Sequence, residues 1–110
     1  MTIESLRQFG ADVDDGVTRC AGNEAFYLRM IDKIKADPGF DQLDAAVREG
    51  RLEDGFKAAH ALKGVLGNLS LTPLYKPVAE LTELLRAKKD MDYTPLLDEI
   101  RAKKEQFYSL

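Results

Sequence analysis

Helical periodicity, punctuated by glycine and proline, is the feature that most narrows the folds open to this chain. Apolar residues return at intervals of three and four through several stretches, and Gly and Pro fall at the boundaries of those stretches more than inside them. Such spacing lines one face of an α-helix and leaves no alternating strand pattern. A first short helix is expected from Ile3 to Phe9, ended by Gly10. The stretch from Gly10 to Gly22 reads as polar and irregular, with one turn near Asp14 to Cys20. Asn23 is a good N-cap for a helix from Glu24 to Ala36, where Tyr27, Met30, Ile31 and Ile34 repeat at helical spacing. Pro38-Gly39 breaks it, and the next helix runs from Phe40 to Glu49 and stops at Gly50. A long helix from Leu52 to Leu69 follows. Thr72-Pro73 and Thr94-Pro95 each read as an N-cap followed by Pro at the first helical position, opening helices that reach Lys89 and Tyr108. Pro77 removes one bond from the earlier of these, so its first turn is expected to be distorted or its regular part to begin near Pro77. Long helices alternating with short loops predict an all-α, antiparallel up-and-down bundle.

The bulk numbers set the remaining limits. At 110 residues the chain has the length of one domain, read here as residues 1–110, with one core. A hydrophobic share of 45% is ordinary for a folded protein and argues against disorder. Sixteen basic and nineteen acidic residues give a net charge of -3, which argues against nucleic acid as a partner. No polybasic segment favours an anionic membrane, and the apolar runs are far shorter than a bilayer crossing requires. Cys20 is the only cysteine, so neither a disulfide nor a multi-cysteine metal site forms within one chain. The N-terminus carries no apolar leader segment, and a cytoplasmic monomer is expected.

The only histidine lies on the long helix, in the run Ala59 to Leu71. With His60 set at zero on a wheel of about 100° per residue, Leu62, Val65, Leu66 and Leu69 fall at about 140–240°. That apolar stripe must face the core, so His60 is aimed outward. Lys63 and Gly64 follow one turn on and Gly67 two turns on, all on the histidine's own face. Each interior glycine costs about 1 kcal/mol relative to alanine. Close approach of an external partner is the preferred reason for accepting that cost, with tight packing against a neighbouring helix as the competitor. Phe56 at −4 and Leu71 at +11 are expected to form the apolar centre of such a contact, and Lys57 and Lys63 its basic rim. A lone imidazole lacks the other ligands of a metal site and has no serine or cysteine to activate. No glycine-rich phosphate loop is present. An exposed neutral imidazole is nevertheless a competent nucleophile toward phosphorus, and Lys63 is placed to stabilise the charge of a bound phosphoryl group.

The segment Ala59-His60-Ala61-Leu62-Lys63-Gly64 resembles the His-x-Leu-Lys-Gly signature of histidine-containing phosphotransfer (HPt) domains. Val65-Leu66-Gly67-Asn68-Leu69 continues the likeness, and Gly50-Arg51-Leu52-Glu53 resembles the turn before that family's histidine helix. The resemblance is good from Leu43 to Arg86 and elsewhere rests on helix pattern alone. It implies a four-helix bundle with a short extra N-terminal helix. It also implies a phosphorelay carrier that takes a phosphoryl group from a receiver-domain aspartyl phosphate and passes it to another receiver, with a sensor histidine kinase upstream. By the motif, His60 would be the phosphoacceptor, Lys63 the charge partner, and Gly64 and Gly67 the clearance positions. No cofactor is implied on this chain; Mg²⁺ would sit on the receiver. Where some members carry a Gln on the following helix, this chain has Glu80, Thr82 and Glu83, with Thr82 the candidate substitute.

Two other functions compete. A helical adaptor would bind receivers or kinases without ever being phosphorylated. A metal-dependent enzyme would use His60 with carboxylates such as Glu53 or Glu80.

Overall fold

The computed structural model describes Met1–Leu110, and the chain is helical throughout, with no strand. Its seven helices are α1 (Ile3–Phe9), α2 (Val13–Arg19), α3 (Glu24–Lys35), α4 (Gly39–Arg48), α5 (Leu52–Asn68), α6 (Thr72–Arg86) and α7 (Thr94–Tyr108). Local chemistry accounts for most of their ends. Thr2 and Ser5 form a reciprocal capping box on α1, and Gly10 closes that helix in the left-handed conformation at φ 106°. The carboxylate of Asp12 and the side-chain oxygen of Asn23 accept from the backbone N–H three residues on, capping α2 and α3. Gly50, at φ 78°, takes the left-handed turn after α4 that the sequence assigned to it.

Three local expectations are corrected. Thr72 and Thr94 do not cap: each is already the first helical residue, preceded by Leu71 and Tyr93, and neither helix has a side-chain cap bond. Before α7, Asp92 accepts from the Thr94 N–H at 2.9 Å instead, and this bond holds the Asp92 carboxyl below its usual range. Pro77 does not delay α6, which is continuous from Thr72. The lost bond is the single one to the Pro73 carbonyl in the first turn, and the Pro77 ring is buried, so its apolar surface offsets part of the loss.

Helices α4 to α7 form an antiparallel four-helix bundle. A methyl group on Gly39 would lie 3.1 Å from Leu62, and one on Gly55 would lie 2.6 Å from Val47, so α4 and α5 run in opposite directions at close range. Gly67 meets Tyr75 and Gly55 meets Leu85 in the same sense across α5 and α6. The ring closes between α4 and α7 through ion pairs: Asp41 to Lys104 at 3.2 Å, Asp44 to Arg101 at 2.6 Å and Arg48 to Asp98 at 2.8 Å. One core runs through the whole, with Tyr27, Leu43, Leu66, Leu74, Leu81 and Phe107 among its most buried side chains.

Helices α1, α2 and α3 cover one end of that bundle. Phe9 stacks on Phe107 at 5.9 Å, and Tyr27 donates from its hydroxyl to the Leu69 carbonyl at 2.9 Å. Burial pushes the Tyr27 phenol up to about 12, so it stays a donor at any physiological pH. The short N-terminal helix expected is α1, and α2 and α3 follow it ahead of the bundle. No helix is long and apolar enough to cross a membrane.

Candidate functional site

His60 is the middle residue of α5 and is exposed, as the wheel requires. Its ring nitrogens make no hydrogen bond within the protein, and its ring rests against Phe56, with centroids 5.7 Å apart. The buried arc of α5 is shifted from the one expected. Gly55, Ala59, Leu62, Leu66 and Leu69 are buried, whereas Val65 is 38% exposed. The two neighbouring helices cover about 180–260° of the wheel, which leaves Val65 at about 140° outside.

The residues proposed for docking divide. Phe56 is partly buried, and Lys57 and Gly64 are exposed beside His60. A methyl group at Gly64 would meet nothing within 4 Å, so that position is open. Gly67 is different: a methyl group there would lie 3.2 Å from the Tyr75 ring of α6, so this glycine is partly a packing position. Leu71 is fully buried and takes no part in any outer face. The wheel fails there because α5 ends at Asn68 and Ser70 turns the chain inward at φ 53°.

Lys63 leans away from solvent toward α6, with Nζ 3.6 Å from Glu83 Oε1. The other Glu83 oxygen accepts from Arg86 Nε at 3.2 Å. The Arg86 guanidinium lies 4.9 Å from the Phe56 ring centroid, a cation–π arrangement. Thr82 is not beside the imidazole. It is fully buried and donates to the Val78 carbonyl of its own helix at 2.7 Å. Glu53 is turned toward Lys57 at 3.9 Å.

A polar groove of about 510 Å³ runs from His60 along α5, past Lys63, Gly64 and Gly67, to the edge formed by α2. Asp12, Asp15 and Arg19 supply that edge, and none of them was legible as part of the site. Ser70 Oγ donates to Asp15 Oδ2, and Arg19 Nε donates to the same oxygen at 2.8 Å. These two bonds, Ser70 first, hold the Asp15 carboxyl below its ordinary value. The Ser70 carbonyl accepts from the Asp12 N–H at 3.0 Å, so α2 is tied to the end of α5 from both sides. The terminal guanidinium nitrogens of Arg19 make no hydrogen bond and remain available at the groove.

The helical bundle thus presents one uncommitted imidazole at the centre of an exposed helix face. The chain matches the Hpt domain family over residues 33–108 and belongs to that family. Hpt domains serve histidine phosphotransfer in phosphorelay signalling, working with receiver domains and kinases of two-component systems. They are carriers rather than ATP-binding catalysts. No curated protein and no solved structure matches the chain. The family match leaves out α1, α2 and most of α3, the segment that supplies Arg19 to the groove.

Proposed function

We propose that His60 accepts a phosphoryl group from the aspartyl phosphate of one receiver domain and delivers it to the aspartate of another. The observation that carries this reading is the exposed His60 ring with no internal hydrogen bond, beside the open position at Gly64. A ring-nitrogen lone pair forms the P–N bond while the P–O bond of the acyl phosphate breaks. The aspartate carboxylate keeps the electron pair, and the proton on the second ring nitrogen passes to solvent. Such transfer depends mainly on positioning and charge stabilisation. In this reading Lys63 neutralises charge on the bound phosphoryl group, and Mg²⁺ and the acidic cluster come from the receiver. The receiver docks over Phe56, Lys57, Gly64 and Gly67, with Arg19 of α2 as a further cation at the rim. A cytoplasmic site of action and a sensor kinase at the head of the relay belong to the same proposal.

The test is incubation with a phosphorylated receiver, and separately with ATP alone. Acid-labile label should appear from the receiver, vanish in His60→Gln, and not appear from ATP. Receiver binding without label would make the protein an adaptor.

A further inference from the structure

Four side chains beside His60 are linked in one run of contacts, and the proposed phosphotransfer uses only part of that set. Starting from the imidazole, the contacts run to Phe56, to the Arg86 guanidinium over its ring, to Glu83, and from Glu83 to Lys63, one turn along α5 from His60. The cation that would serve a phosphoryl group on His60 is therefore paired with a carboxylate when no phosphoryl group is there. The Glu83 side chain makes no hydrogen bond to the backbone or to the core and is 57% exposed. Its role in holding the fold together is correspondingly small. The Lys63–Glu83 separation of 3.6 Å is longer than a direct charged hydrogen bond, and Lys63 is partly exposed, so the pair opens readily.

We infer that Glu83 is a positioning residue that withholds Lys63 from His60 and so sets how far phosphoryl transfer onto the imidazole proceeds. This rests on the phosphocarrier reading above. A phosphoryl group on His60 carries more negative charge than one carboxylate and draws Lys63 to itself. Glu83 then loses its lysine and faces a new anion, with Arg86 as its remaining counter-charge. Both effects weigh against the phosphorylated form. Glu83 thus keeps phosphohistidine from becoming a sink and favours onward delivery.

The equilibrium ratio of phosphohistidine to receiver aspartyl phosphate reads this directly. Glu83→Gln keeps the size of the side chain and removes its charge, and should raise the ratio about 1.5- to fivefold, the range for a partly exposed ion pair. Lys63→Met should lower it. In the Lys63→Met background, Glu83→Gln should lose most of its effect, because the two residues act as one unit. Glu83→Asp should fall between wild type and Glu83→Gln. An unchanged ratio in Glu83→Gln overturns the inference, as does an equal shift with and without Lys63. A wild-type protein that takes no label at His60 from a receiver or from phosphoramidate overturns the phosphocarrier reading itself and this inference with it. Melting temperature does not decide the matter, since a purely structural carboxylate would not produce an effect that depends on Lys63.

Discussion

The three glycines inside α5 have three different surroundings, although the sequence presents them as one kind of anomaly. Gly55 lets α4 approach, because a methyl group there would collide with Val47 at 2.6 Å. Gly67 lies under Tyr75, and Gly64 faces open space. Periodicity placed Gly64 and Gly67 on the histidine's side, and both are there. It did not reveal that α6 leans over one of them, since a wheel carries no neighbouring helix. Gly64 is therefore the clean probe of partner approach. Gly64→Gln should leave the melting temperature unchanged or raise it, since glycine gives up about 1 kcal/mol of helix propensity. The same change should slow transfer from a receiver at least about tenfold, about 1.4 kcal/mol in barrier. Labelling by phosphoramidate, a small donor, should change little. Equal losses with both donors would place the damage in the chemistry rather than in docking.

Among the elements, α2 departs furthest from expectation. The sequence from Gly10 to Gly22 looked irregular because a seven-residue helix with only Val13 and Gly16 buried is too short to show a period. Its position depends on Gly16. A methyl group there would run onto the Tyr27 ring and lie 2.9 Å from the Leu69 carbonyl oxygen. Tyr27 has no room to yield, being fully buried and hydrogen-bonded to that same carbonyl. Gly16→Ala should destabilise the protein by about 1–3 kcal/mol, the usual range for overpacking. Hydrogen exchange should quicken at Val13–Arg19 before it does in α5 and α6. Uniform quickening along the chain would show that α2 is an integral part of the bundle and not a cap on it. The long helices were legible to within a few residues at either end, since each carries a sustained apolar stripe and a Gly, Pro or Asn boundary. The capping errors at Thr72 and Thr94 arose because the backbone turned helical one residue early.

For the molecule as a whole, the α4/α7 seam closes the bundle with charge, which no single-helix pattern predicts. Asp44 is its hub, bonded to Arg48 and Arg101. Burial pushes its carboxyl up, but the two arginines outweigh burial and leave it below its ordinary value. The folded protein therefore gives up this proton at lower pH than the unfolded chain does. The resulting stability is present above the unfolded value of about 3.9 and is lost as pH falls through the folded value. Arg101 is half exposed and screened by solvent, so Asp44→Asn should cost only about 1 kcal/mol, or about 4–8 °C in melting temperature, at pH 7. Thermal melts at pH 7 and pH 3 check this. The gap between wild type and variant should narrow at the lower pH, and a constant gap would show that the carboxylate's charge is not what matters.

His60 sits at the midpoint of a 17-residue helix, on the flank of a body measuring 42 × 24 × 20 Å. From that midpoint α5 extends only about 12 Å in each direction. A specific protein contact covers about 800 Å² on each partner, a patch about 16 Å in radius. If His60 is the phosphoacceptor, as proposed above, whichever partner reaches the imidazole occupies the whole face, and donor and acceptor cannot be seated together. Loading and unloading must alternate in time, and an excess of either partner becomes a traffic jam for the other. Throughput of such a relay is then governed by how quickly each guest departs, and a tighter-binding partner makes a slower relay.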